Sequence, residues 1–278
     1  MTSPLFPMGP KPVPSLNGPW EYWRPPDSSI VELGMVCGVD VALPNHFHNE
    51  DQLTFVLSGR RRFVIGDEVF DVSSGQGMHI PAGTLHRSLS EPSEVVCINM
   101  YTSSGAYAAR DLISSLARHW RRNGHIGWPD LTIIAEDHRC FAENIASPTG
   151  DPSGSEPWGT VSQAAQRAGM SREGFSRQFR RRHGMPPHAF WLLEKLNDAR
   201  RLLRTGEPIA AVAAETGFSD QSHLGRCFRR AFGVTPGRYR GVGHIRSRPL
   251  PPRPAIDPPR SAAWKVPMRA RALLGSTA

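Results

Sequence analysis

The sequence predicts an α+β chain of two domains, a barrel or sandwich of short strands followed by an all-α domain. Three observations predict it. Residues 31–101 read as short β runs broken by turn residues; residues 158–240 read as helices carrying a duplicated motif; and residues 147–157, SPTGDPSGSEP, have the composition of a linker. At 278 residues, each of two ordinary domains buries its own core.

Charge divides the chain at the same place. Residues 1–157 carry 11 Lys and Arg against 18 Asp and Glu, a net of −7. Residues 158–240 carry 15 against 6, and residues 241–278 carry 7 against 1, nets of +9 and +6. A compact basic domain behind an acidic one points to a polyanion, and nucleic acid is the usual partner; plain solvated surface is the competing reading. No run of about 18 apolar residues is present, so nothing is expected to span or contact a membrane. The N-terminus lacks the apolar core of a signal peptide, and Cys37, Cys97, Cys140 and Cys227 are far apart with no CxxC pair. A reduced cytoplasm is the expected location, with neither a zinc knuckle nor a disulfide framework.

Residues 1–19, rich in proline, are expected to form a disordered arm, and the front domain to run from 20 to 146. The β runs are VELGMVCGVDVAL, QLTFVLSG, RRFVIGDEVFDV, GMHIPAG and VVCINMY, with Gly66-Asp67-Glu68 as a hairpin loop. After Ser104 the period becomes helical: Ala108, Leu112, Ile113, Leu116 and Trp120 form one apolar stripe. A weaker helical stretch spans Asp130 to Asn144. The stripe suits either padding for the barrel or a dimer face. Residues 241–278 form a basic, proline-rich tail, expected to be disordered.

The basic domain contains a duplication. VSQAAQRAGMS, from Val161, aligns with IAAVAAETGFS, from Ile209, so that Ala165, Gly169 and Ser171 match Ala213, Gly217 and Ser219. One inserted residue later, Phe175, Arg177, Phe179, Gly184 and Pro187 match Leu224, Arg226, Phe228, Gly233 and Pro236. Each copy reads as helix, glycine turn, helix, with Ser171 and Asp220 as N-caps and the i, i+4 pairs Phe175/Phe179 and Leu224/Phe228 facing a core. Between the copies, FWLLEKLNDARRLLRTG reads as one amphipathic helix carrying Leu192, Leu193, Leu196, Ala199, Leu202 and Leu203. A helix-turn-helix lays its second helix in the major groove, where an arginine fork pairs with guanine. The runs Arg180-Arg181-Arg182 and Arg229-Arg230 suit phosphate contact.

Residues 158–240 resemble the DNA-binding domain of the AraC/XylS family of transcriptional regulators, most closely at IAAVAAETGFSDQSHLGRCFRRAFGVTPGRYR. The resemblance implies two helix-turn-helix units joined by a linker helix and docked in adjacent major grooves of double-stranded DNA. Carried over residue by residue, it implies base contacts from Arg172, Glu173, Ser176 and Arg177 in the first unit and from Gln221, Ser222, Gly225 and Arg226 in the second. Glu173 and Gly225 depart from the larger side chains frequent at those positions. The family implies activation through RNA polymerase, with repression also open, and a homodimer is the expected working unit.

The front domain resembles a cupin, and in this company the arabinose-type sensing domain of AraC regulators. His46-x-His48, Gln52 and Gly59 follow the first cupin motif, with glutamine where the family has glutamate; Gly75, Pro81, Gly83 and His86 follow the second. The rings of His46, His48 and His86 admit three readings: metal ligands, an effector pocket completed by Gln52, or packing at the barrel mouth. Loss of the carboxylate weakens the metal reading. No phosphate loop, GxSxG elbow or HExxH pair is present. The expected protein is a non-enzymatic regulator without a cofactor, sensing a small-molecule effector. Its rivals are a metal-dependent cupin enzyme and a DNA-binding protein whose barrel only dimerises.

Overall fold

A computed structural model describes residues 19–25, 28–140 and 159–241. The expected linker lies wholly outside these residues, as do the arm up to residue 18, the tail from residue 242 and the end of the front domain from residue 141.

The front domain is two antiparallel sheets folded face to face. One has five strands in the order β1 (Trp20–Trp23), β2 (Ile30–Gly38), β9 (Val95–Thr102), β4 (Asp51–Ser58) and β7 (Gly77–Ile80). The other has the order β3 (Leu43–His46), β8 (His86–Ser88), β5 (Arg60–Ile65) and β6 (Glu68–Ser73). Every position of β4 and β9 is buried, because their two faces serve two cores. Leu53, Phe55, Leu57, Val96, Ile98 and Met100 meet the helices α1 (Ala109–Asn123) and α2 (Trp128–Glu136) on the outside. The alternate residues Gln52, Thr54, Val56, Cys97, Asn99 and Tyr101 face inward; the register Gln52↔Tyr101, Thr54↔Asn99, Val56↔Cys97 places them side by side.

Leu112, Ile113, Leu116 and Trp120, four residues of the expected stripe, are buried against the sheet, so that stripe pads the barrel and offers no dimer face. Two expectations shift. Ile65 pairs with Glu68, which leaves Gly66 and Asp67 as a two-residue turn. The second helix begins at Trp128, with Asp130 capping Gly127, and ends at Glu136.

The basic domain is all helix: α3 (Val161–Arg167), α4 (Arg172–His183), α5 (Pro187–Arg204), α6 (Ile209–Glu215), α7 (Gln221–Phe232) and α8 (Pro236–Arg240). The duplication is visible in the local chemistry. Ser171 accepts from Gly174 N at 3.1 Å and Asp220 from His223 N at 2.7 Å, each capping a second helix. Gly169 and Gly217 hold φ of 63° and 69° in the two turns, the left-handed backbone that explains why both copies carry glycine there. The copies differ in packing. Leu224 and Phe228 are fully buried, whereas α4 has no fully buried residue: Phe175 and Phe179 face inward but stay partly exposed.

Candidate functional site

The structure brings His46, His48, His86 and Gln52 together at one end of the barrel. His46 closes β3 and pairs in register with His86 on β8, while His48 sits in the turn before β4. Ring centroids lie 4.3 Å apart for His46 and His86, 4.9 Å for His46 and His48, and 5.4 Å for His48 and His86. All three are buried.

Their protonation follows from their partners. Nδ1 of His46 lies 2.7 Å from Pro44 O and Nδ1 of His86 lies 2.8 Å from Thr84 O. A carbonyl only accepts, so both Nδ1 atoms carry the proton and both Nε2 atoms present lone pairs. His48 is opposite: its Nδ1 lies 2.8 Å from Nη1 of Arg200, which only donates, so its proton sits on Nε2. Burial holds all three rings below the ordinary histidine range, His86 at about 4; His86, Arg200 and Arg61 lower His46 further, Arg200 lowers His48, and Arg61 lowers His86.

Gln52 explains its own departure from the cupin pattern. Its Nε2 donates to Thr54 Oγ1 at 3.0 Å and Asn99 Oδ1 at 3.1 Å, bonds that a carboxylate cannot make. Gln52 Oε1, His48 Nε2 and His86 Nε2 have no hydrogen bond. These groups, with Arg61, Phe63, Ser88, Tyr101, Trp20 and Tyr22, line an enclosed space of ≈ 10 Å³, room for about one water molecule.

The lid over this space is the helical domain. Phe232 of α7 lines the cavity. Along α5, Asn197, Arg200 and Arg204 recur at helical spacing and all bind the barrel: Asn197 Nδ2 donates to Phe47 O at 3.1 Å, Arg200 to Glu32 and His48, and Arg204 to Glu50. Tyr239 of α8 donates to the second oxygen of Glu32, and Tyr22 of β1 donates to Phe232 O at 2.9 Å. Arg200 also lies 4.3 Å over the Tyr101 ring. Burial alone would lower the Arg200 pKa; Glu32, Tyr239, Tyr101 and Glu50 more than offset it and leave it raised. Sequence reading missed Arg61, Glu32, Arg200, Arg204 and Tyr239. The 197/200/204 spacing was the available signal for α5; Arg61 and Glu32 had none.

The helix-turn-helix units present their expected residues to solvent. Arg172, Glu173, Arg177, Arg180, Arg181 and Arg182 of α4 are exposed, with Ser176 partly so; Gln221, Ser222, Arg226, Arg229 and Arg230 of α7 are exposed, with Gly225 partly so. Docking on the barrel uses the C-terminal caps of these helices, Gly184 beside Leu85 and Gly233 beside Trp20, far from Arg172 and Gln221 but directly after the two arginine runs.

Two family models match the chain: a helix-turn-helix domain over residues 164–241 and a cupin domain over residues 39–99. MtrA of Neisseria gonorrhoeae, named an HTH-type transcriptional regulator, is 38 % identical over 77 residues, 27 % of this chain and 26 % of that protein. A putative AraC-like transcription regulator of Streptomyces antibioticus is 34 % identical over 82 residues, 29 % of this chain and 27 % of that protein. The two models thus fall on the two halves of the chain, cupin in front and helix-turn-helix behind. NphR of Rhodococcus sp, named a transcriptional activator, is 40 % identical over 82 residues, 29 % of this chain and 24 % of that protein. The chain thus spans about a quarter of the length of these relatives.

The cupin histidines do not fit a divalent ion as they stand. The trio's ligand atoms lie within 4.8 Å of one another, but only two of the three rings offer a free lone pair while Arg200 holds His48. Gln52 supplies no charge. No membrane-length apolar helix occurs among the described residues.

Proposed function

We propose that the protein is a sequence-specific, DNA-binding transcriptional regulator whose barrel responds to a small-molecule effector. The observation that carries the reading is the paired exposure of Arg177 and Arg226 on capped, glycine-turned second helices whose opposite sides turn inward. Arg172, Ser176, Gln221 and Ser222 then reach base edges with them, while Arg180–Arg182, Arg229 and Arg230 hold phosphates. The regulators among similar proteins support a non-enzymatic role, and the activator among them supports activation through RNA polymerase. A homodimer is the expected working unit.

His46, His48, His86 and Gln52 form the effector wall. Arg200 links that wall to the DNA-binding domain, so an effector that alters the wall alters how firmly the heads are held against the barrel. Docked and released heads then differ in their reach along the duplex, and the effector shifts the population between them.

The deciding experiment is selection of bound duplexes from a random pool by the full-length protein. The expected product is a bipartite motif with centres about 10 base pairs apart; a pool that stays random removes the reading. Elemental analysis tests the rival. Stoichiometric iron, manganese or zinc in the purified protein moves the barrel to the enzyme class.

A further inference from the structure

Arg61 is buried with no carboxylate in contact with its guanidinium among the described residues. It stands on β5 with 1 % of its surface exposed. Its neighbours Arg60 and Arg62 point outward and share Glu91, whereas Arg61 has no salt bridge among the described residues. Nη2 donates to Ser88 Oγ at 2.8 Å, the guanidinium lies 5.3 Å from the Trp20 ring and 5.5 Å from Phe63, and Nη1 has no hydrogen bond. An unpaired buried guanidinium is costly. A structural arginine closes its fork on an acid; this one leaves it open in the cavity that the histidines line.

The rest of the wall has a defined polarity. His46 and His86 offer acceptor lone pairs at Nε2, and His48 offers an N–H with the acceptor Gln52 Oε1 beside it. An anionic end answers the Arg61 fork, and one hydroxyl, which both donates and accepts, answers the His48 N–H and one of the imidazole lone pairs. We propose that the barrel binds a small hydroxy acid, its carboxylate on the Arg61 fork and its hydroxyl between the ring nitrogens of His48 and of His46 or His86. This rests on the effector reading of the barrel and names the ligand's chemical class. A fork of two N–H groups matches a carboxylate and has no such match in a neutral sugar or amide.

The closed space of ≈ 10 Å³ makes binding and domain movement one event, because a molecule of three carbons or more must displace a wall. The strands are fixed by their ladders; Phe232 belongs to the docked domain. The side chain of Trp20, at the first position of edge strand β1, is the second moving part, for its ring lies over Arg61 on one side and against Gly233, the C-terminal cap of α7, on the other. A carboxylate seated on Arg61 therefore presses on the end of α7.

The test is thermal unfolding of the full-length protein without DNA, at millimolar concentrations of matched probes. Glycolate, lactate and mandelate are compared with their amides and with acetate, propionate and phenylacetate, for wild type, Arg61→Gln and Arg61→Lys. At least one hydroxy acid is expected to raise Tm by about 5 °C at a hundredfold excess over its Kd. Its amide and its deoxy acid should shift Tm far less. Arg61→Gln should abolish the response, and Arg61→Lys, which keeps the charge but not the fork, should weaken it without abolishing it. An amide as effective as its acid, an undiminished response in Arg61→Gln, or a rise seen only with zinc chloride and reversed by chelator overturns the proposal. So does a panel in which no acid raises Tm. Because DNA is absent, these outcomes are independent of whether the protein selects a duplex.

Discussion

Arg200 donates to Nδ1 of His48 at 2.8 Å, joining the helical domain to the barrel across 152 positions of sequence. The same guanidinium is paired to Glu32, and both side chains are 1 % exposed. Removing one partner of such a pair leaves a buried charge uncompensated, which costs about 3–5 kcal/mol. Arg200→Met should destabilise the full chain by that order in urea unfolding. The double variant Arg200→Met with Glu32→Gln should be more stable than Arg200→Met alone, since no unpaired carboxylate remains. A single variant as stable as wild type would mean that the domains do not dock through this pair.

The sequence carried the two halves of the molecule and not the joint between them. Gly169 and Gly217, or Ser171 and Asp220, announce themselves because local backbone geometry demands them, and a duplication repeats local demands. The inward alternation Gln52, Thr54, Val56 is equally local. Strands β1, β3 and β8 have only four, four and three residues, too few for a period to show. Arg61 and Arg200 are invisible for another reason. A buried arginine is distinguished from a surface one only by partners far away in sequence, and in the helix FWLLEKLNDARRLLR the leucines set the apparent face. Phe175 and Phe179 were expected to face a core and do so only partly, because α4 packs on α3 and α5 but lacks the further layer that α8 and the barrel give α7.

Acid should loosen the barrel before it unpairs carboxylates. Burial holds His46 and His48 well below the ordinary range and His86 at about 4, whereas an unfolded chain titrates each near about 6.5. Between those values the unfolded state binds protons that the folded state refuses. Stability is therefore whole above about pH 7 and falls as pH drops from about 6.5 towards 4, by up to about 1.4 kcal/mol per pH unit for each ring. Glu50 and Asp51, held below their ordinary values, add their loss only below about pH 4.5. Urea midpoints measured from pH 7 to pH 5 should show this slope, and His86→Asn should reduce it by one ring's share.

Gly233 tests the seating of α7 on Trp20. Its φ is 77°, and a Cβ there would meet Trp20 Cδ1 at 2.4 Å. Gly169 has φ 63° with nothing within 4 Å, so Gly169→Ala isolates the backbone cost, about 1 kcal/mol. Gly233→Ala should exceed that value clearly, because Trp20 must also move. Equal losses for the two variants would show that the Trp20 contact contributes nothing.

Arg226 occupies an exposed face of α7, between one and two helical turns past the Asp220 cap. If its fork reads a guanine, Arg226→Ala weakens the selected duplex by about 1–3 kcal/mol and relaxes base choice at one position. Gel-shift titration against single-base variants of the selected site measures both. A uniform loss on every sequence would return Arg226 to the backbone-contacting group.

Arg180, Arg181 and Arg182 end α4 in three exposed cations whose spacing spreads them around the helix, which no single base edge can engage. Phosphates surround the groove on both sides and can take them all. Each phosphate neutralised releases condensed counterions, so the logarithm of the binding constant falls with the logarithm of salt by about 0.9 per contact. Replacing the three by glutamine should weaken specific and non-specific duplexes alike and flatten the salt slope by up to about 2.7. The slope is the discriminating quantity, because a fold defect lowers affinity at every salt concentration without changing it. A triple variant with the wild-type slope would place these arginines outside the DNA contact and leave Arg229 and Arg230 as the phosphate clamp.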